Sequence, residues 1–258
     1  LKLYRDQAHW ASEVHAYARW APAFGAQAPR LLAVRDEPPL AIVVTAMAGI
    51  PLEAARLAPA QMQAAWHAAG RALAALHALP AGGWFGLCQR DGTPAATPFT
   101  DACAYVAAQY DGWLACAEGS DYLSSAERAI VQQAMARIPA FAGEHPVPCH
   151  YDYCPANWLV GPDGRFSAVI DFEFARWDLR VTDFSRYPEW EWIEHPDLLD
   201  ALFAGYGRRL SAREEDQLLI ARVLYALGAI VWGVENAYRG YATEGRHALR
   251  HLAPQLAQ

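Results

Sequence analysis

His150-Tyr151-Asp152-Tyr153-Cys154-Pro155-Ala156-Asn157, followed by Ile170-Asp171-Phe172-Glu173, is the stretch of this 258-residue chain that decides its fold. Val147-Pro148-Cys149 leads in and Trp158-Leu159-Val160 leads out, both apolar and short enough for strands. Gly161-Pro162-Asp163-Gly164 then supplies a tight turn, and Phe166 to Ile170 reads as a second strand. A loop, a strand, a turn and a strand ending at Asp171 bring Asp152, Asn157 and Asp171 to one end of a hairpin.

The Asp152-to-Asn157 spacing is that of the kinase catalytic loop H-R-D-x-x-x-x-N, and Asp171 stands where a kinase has the Asp of D-F-G. Phosphoryl transfer asks a protein mainly to position reactants and stabilise charge. Asp152 is the candidate to take or orient the proton of an acceptor hydroxyl. Mg²⁺, a hard ion that binds oxygen ligands and phosphate, suits Asp171 with the amide oxygen of Asn157, and the donor is ATP or GTP. His150 is read as structural support of the loop rather than as an acid or base.

Of the 21 basic side chains, 20 are Arg; the one Lys is Lys2, in the alternating segment Leu1-Lys2-Leu3-Tyr4. An ammonium is a compact charge suited to phosphate oxygens, which an Arg fork would grip differently. Glu13 falls in a helix predicted from about His9 to Trp20, so a Lys–Glu pair like the one that steadies nucleotide phosphates in kinases is available.

On these residues the chain resembles the aminoglycoside phosphotransferase and choline kinase-like family of small-molecule kinases. The resemblance also rests on Val44 to Gly49, Gly70 to Leu79 and Asp183. It implies an α+β, protein-kinase-like two-lobe fold: a small β-rich N-lobe over 1–48 and a large, mostly helical C-lobe over 49–258 that carries the catalytic loop and acceptor pocket. It further implies that Thr45 and Met47 offer backbone hydrogen bonds to the nucleotide base, and that Asp183 braces the catalytic loop.

Departures from the family pattern carry expectations of their own. Tyr151 stands where such loops usually have Gly, predicting a different loop backbone or acceptor pocket. Glu173 replaces the Gly of D-F-G, as in the small-molecule branch. The interval from Asp171 to Asp183 is too short for an activation segment that docks protein substrates. The strands and Gly-rich loop expected over the phosphates do not precede Leu1, so a longer natural chain is expected.

Composition bounds the rest. A hydrophobic share of 54% supports a sizeable core, and the net charge of −7 argues against nucleic acid, which needs a basic footprint. Five cysteines without a C-x-x-C pair fit a reducing, cytoplasmic setting rather than a zinc site. Leu218 to Val234 reads as a buried helix, not a membrane span. Ser124 with Glu127 and Ser211 with Glu214 read as helix-starting capping pairs. Glu189, Trp190, Glu191 and Glu194 set acidic groups among aromatic faces, the chemistry of an amine-binding acceptor pocket.

The expected activity is therefore an ATP- or GTP-dependent O-phosphotransferase acting on a small, amine-containing molecule such as an aminoglycoside or other antibiotic. The chain is expected to be a monomer or homodimer without nucleic-acid or membrane partners. Alternatives are a choline- or ethanolamine-type metabolite kinase and, in another class, an inactive nucleotide-binding module.

Overall fold

The computed structural model describes residues 1–185 and 195–257. In chain order the strands are β1 (Lys2–Tyr4), β2 (Leu31–Arg35), β3 (Leu40–Val44), β4 (Ile50–Pro51), β5 (Val147–Cys149), β6 (Trp158–Val160), β7 (Phe166–Val169) and β8 (Arg176–Asp178). The longer helices are α1 (Gln7–Arg19), α2 (Pro59–His77), α3 (Ala102–Cys116), α4 (Ser125–Ala136), α5 (Pro196–Tyr206), α6 (Ala212–Glu235) and α7 (Arg239–Leu256). The acidic and aromatic stretch holding Glu189, Trp190, Glu191 and Glu194 lies outside the described residues.

The chain forms two compact units. The first comprises Leu1–Pro98, His145–Asp183 and Tyr187–Arg209; the second comprises Phe99–Glu144, Phe184–Arg186 and Leu210–Gln258. In the first, β1, β3 and β2 form an antiparallel sheet in that order, with Lys2 opposite Ile42. Asp6 starts α1 by accepting a hydrogen bond from the His9 amide at 2.9 Å, which satisfies one of the amides a helix start leaves open. That cap sets the phase of the helix, so Trp10, Glu13, Val14 and Tyr17 all turn inward.

The hairpin read from the sequence is present: β6 pairs with β7 antiparallel, and Gly164, at φ 74°, closes the turn in a conformation open to glycine. β5 pairs instead with β8, a strand hidden in a short, charged segment. Helices α2 and α5 cross so closely that a Cβ on Gly70 would lie 1.9 Å from the Leu202 carbonyl oxygen, and one on Gly205 1.8 Å from that of His67.

In the second unit both predicted capping pairs form. The Ser124 and Ser211 hydroxyls accept from the amides of Glu127 and Glu214, and each glutamate reaches back to the serine amide. Helix α6 is long and apolar enough to cross a membrane, but 78% of its apolar window is buried in the protein, as in a core helix.

Candidate active site

Each arm of the site is fixed by a buried aromatic residue. The loop from His150 to Asn157 sits on α2 through Tyr153, whose hydroxyl donates to the Ala69 carbonyl at 2.6 Å and whose ring packs 5.0 Å from Trp158. Phe172, fully buried, packs against His150 at 4.7 Å, Tyr17 at 5.1 Å and Phe24 at 5.6 Å. Its neighbour Asp171 takes φ 65°, a left-handed conformation that Asp tolerates.

The loop is closed by its own polar groups. The Asn157 amide nitrogen donates to the Asp152 carbonyl at 2.9 Å, and the Asn157 carbonyl accepts from the Ile170 amide at 3.0 Å. These two bonds hold Asp152, Asn157 and Asp171 at one end of the hairpin. His150 donates from Nε2 to the Ile170 carbonyl (3.0 Å) and accepts at Nδ1 from the Asp152 amide (3.3 Å). Both ring nitrogens are thereby engaged in the loop. The Cys154 thiol donates to Asp152 Oδ1 at 3.5 Å.

Asp183 braces this loop from its buried position. Oδ1 accepts the Tyr151 amide at 2.6 Å and Oδ2 the His150 amide at 3.0 Å. Tyr151 lies at φ 68°, a left-handed conformation that glycine adopts freely. For a tyrosine that conformation costs about 1–2 kcal/mol. Against it, the Arg176 guanidinium stacks 3.8 Å from the Tyr151 ring centre, a contact worth about 0.5–1 kcal/mol at a partly exposed site.

Lys2 meets three carboxylates: its Nζ lies 2.8 Å from Glu13 Oε2, 2.5 Å from Asp171 Oδ1 and 2.9 Å from Glu173 Oε2. Glu13 is 1% exposed, and its Oε2 also accepts the Tyr4 hydroxyl. Burial opposes the Lys2 charge, yet Glu13 and Asp171 outweigh it and hold the ammonium above its ordinary range. Burial pushes Glu13 the other way, above the usual carboxylate range, with Lys2 pulling it back. Since the ammonium faces several anions and Glu13 only one cation, Lys2 stays charged and Glu13 is the weak member of the pair.

Thr45 and Met47 lie in the linker after β3. The Thr45 amide is taken by the Arg30 carbonyl at 2.9 Å, so of its two backbone groups only the carbonyl remains to meet a base. The Cys149 thiol donates to the Leu179 carbonyl at 3.3 Å, and burial raises it well above the ordinary range. The contributions of Glu173 and Tyr4 were not read from the sequence. A Tyr between Leu3 and Arg5 carries no sign that it turns toward a buried glutamate, whereas a second carboxylate two residues after Asp171 was a signal.

The fold has solved counterparts. Aminoglycoside phosphotransferase APH(4)-Ia matches over 98% of this chain and 84% of its own, with a TM-score of 0.73 at 16% identity. A choline/ethanolamine kinase family protein from Mesorhizobium loti matches over 96% and 80%, with a TM-score of 0.67 at 16% identity. Macrolide 2'-phosphotransferase MphH from Brachybacterium faecium matches over 96% and 82%, with a TM-score of 0.65 at 19% identity. No curated protein matches the chain by sequence. At these identities the likeness shows the fold: α+β, two-lobed and kinase-like, with small N-terminal sheets and a larger, mostly helical part. The profile of the phosphotransferase enzyme family matches residues 1–219, most of the chain and every arm of the site above, and the chain belongs to that family.

Proposed function

We propose that this chain transfers the γ-phosphoryl group of ATP or GTP to a hydroxyl of a small, amine-bearing molecule, such as an aminoglycoside or other antibiotic. The observation that carries the reading is the single ammonium of Lys2 set against Glu13, Asp171 and Glu173. Three carboxylates around one cation leave an excess of negative charge, and all the free donors are hard oxygens, which fits a divalent ion such as Mg²⁺. Asp171 and the Asn157 amide oxygen would hold it; the Asn157 nitrogen is already committed to the Asp152 carbonyl, which leaves that oxygen as the acceptor. Glu173 extends the donor set. When bound, the ion neutralises charge on the phosphates.

The chain's own groups then divide the work. Lys2, steadied by Glu13, binds phosphate oxygens of the nucleotide, while residues 1–48 form the nucleotide-binding lobe and Thr45 and Met47 offer backbone groups to the base. Asp152 orients the acceptor hydroxyl and takes its proton. His150 and Asp183 keep Asp152 in place from behind. Glu189, Trp190, Glu191 and Glu194 bind the amine of the acceptor by ion pairing and cation–π contact. Residues 49–258 form the lobe carrying this chemistry.

Incubation with labelled Mg-ATP and Mg-GTP and a panel of amino alcohols, aminoglycosides and neutral alcohols tests the reading. Labelled product confined to amine-bearing acceptors supports it. Nucleotide binding without transfer to any acceptor would make the chain an inactive binding module, and transfer to neutral alcohols alone would reject the acceptor class.

A further inference from the structure

We propose that His77 is a positioning residue for phosphoryl transfer: through Asp183 it holds Tyr151 in a left-handed backbone that aims Asp152. The proposal rests on the assignment of Asp152 as the group that meets the acceptor hydroxyl. His77 is the last residue of α2 and is buried, far in sequence from every group it serves.

Hydrogen-bond direction can be followed along a complete chain. The two oxygens of Asp183 already accept the amides of Tyr151 and His150, so His77 Nε2, 3.0 Å from Oδ2, donates to the same carboxylate. Nδ1 must then accept, and the Tyr206 hydroxyl at 2.9 Å is its donor. The Tyr206 oxygen in turn accepts from Arg180 Nη1 at 3.0 Å, and the same Arg180 nitrogen donates to the His77 carbonyl at 3.3 Å. A guanidinium, a phenol, an imidazole and a carboxylate thus form one directed line ending on the two amides that open the catalytic loop. Burial, only partly offset by Asp183, keeps the imidazole below its ordinary range and so preserves its single-proton form.

The line carries a definite load. Tyr151, at φ 68°, occupies a conformation that only glycine, and to a lesser degree Asn or Asp, adopts freely. Such backbone strain persists where the surroundings over-determine it. The Asp183 bond to the Tyr151 amide is the support from the backbone side, and the Arg176 stack is the support from the side chain. If the clamp slackens, Tyr151 relaxes toward negative φ and turns the following residue, Asp152, away. A glycine at 151 has nothing to relax from.

That difference gives a test that a merely structural histidine would not pass. His77→Gln, Tyr151→Gly, Tyr151→Ala and the two double variants are compared by steady-state hydrolysis of Mg-ATP and Mg-GTP and by hydrogen exchange of a peptide spanning 147–158. His77→Gln should lower kcat about 5- to 30-fold, the population equivalent of the left-handed preference, with the nucleotide KM within about twofold. Exchange in the loop should quicken by a similar factor. Adding Tyr151→Gly should restore both to within about threefold of Tyr151→Gly alone, whereas adding Tyr151→Ala, which removes the ring but keeps the strain, should not.

A His77→Gln enzyme within twofold of wild type, or no recovery with glycine, overturns the proposal. Should His77→Gln not fold, Tyr206→Phe, which removes the hydroxyl that donates to Nδ1 and accepts from Arg180, is combined with the same two changes at 151: recovery with glycine alone supports the clamp, and its absence overturns it. Asp152→Asn separates the two levels: if it retains wild-type turnover, the assignment of Asp152 fails, and if it is inactive while His77→Gln is not, only the clamp fails.

Discussion

Removing the ammonium from the carboxylate cluster should destabilise the protein in a way that fades as the solution is acidified. Lys2→Met keeps much of the side-chain length but leaves Glu13, 1% exposed, with only the Tyr4 hydroxyl on its engaged oxygen. A buried charge stripped of its partner is strongly unfavourable, so the variant's Glu13 has the option of taking a proton instead. That option caps the cost. Holding a glutamic acid neutral costs about 1.36 kcal/mol for each pH unit above its ordinary value near 4.3, hence about 3.7 kcal/mol at pH 7 and about 1 kcal/mol at pH 5.

The sign follows from proton counting. Between pH 4.3 and 7 the folded variant retains a proton on Glu13 that the unfolded chain has released, so the folded state gains stability as pH falls. The wild type has a weaker slope of the same sign, since burial already raises Glu13 but Lys2 opposes it. Lys2 itself is raised from an already high value and stays charged throughout this window. Urea unfolding followed by fluorescence and far-ultraviolet dichroism, with coincident curves required, should show a penalty of about 2–3.5 kcal/mol at pH 7 that drops below about 1 kcal/mol at pH 5. A penalty that stays level or grows between pH 7 and pH 5 would refute the reasoning.

Asp152→Asn should lower kcat for transfer by about 10²- to 10⁴-fold while Mg-nucleotide affinity, read by calorimetry, changes less than about threefold; Asp171→Asn should weaken that affinity by about tenfold or more. Equal losses of nucleotide binding in the two variants would undo the division of roles. Gly70→Ala places a Cβ against the Leu202 carbonyl in the α2–α5 crossing and should cost about 2–3 kcal/mol in urea unfolding, whereas Gly83→Ala, with open space around it, should stay within about 0.5 kcal/mol. Iodoacetamide at about pH 8 should label the exposed Cys116 first, and spare Cys88, pushed up to about 12 by burial, and Cys149 until the protein unfolds, as peptide mass spectrometry would show.

What the sequence disclosed and what it withheld divide along one physical line. Asp152, Asn157 and Asp171 were legible because their spacing is local, and the turn at Gly161 to Gly164 carries its own conformational signature. Capping pairs were legible for the same reason. The line from Arg180 through Tyr206 and His77 to Asp183 was not, since His77 lies 106 residues from Asp183 and 129 from Tyr206 in the chain. Strand β8 escaped because Arg176-Trp177-Asp178 has neither the length nor the alternation of a strand, and is one because β5 pairs with it and Gly86 bridges to Trp177. Helix α7 was missed because Gly240, Gly245 and Pro254 interrupt its helical pattern, and packing on α6 overrides them; a Cβ on Gly245 would lie 2.6 Å from the Ala226 carbonyl oxygen, which explains why the interruption is there.

A single device recurs at the polar groups of the site, and it accounts for how so short a stretch holds them in place. Asp152 is followed by Tyr153, Asn157 by Trp158, Asp171 by Phe172 and Asp183 by Phe184, and all four aromatic residues are at most 1% exposed. In each pair, burying the ring fixes the backbone from which the polar side chain departs. A large ring in a close-packed core also has little freedom to shift, so the neighbouring polar group inherits its precision. The polar groups themselves contribute little to stability, and burying them would cost free energy unless every hydrogen bond were made. The rings supply the stabilisation that the carboxylates and the amide cannot, which lets Asp171 stay partly open to solvent while its backbone is fixed by Phe172. Polar residue then buried aromatic, four times over, is therefore the form in which the sequence encodes a rigid site of polar groups, three of which, Asp152, Asn157 and Asp183, are themselves buried.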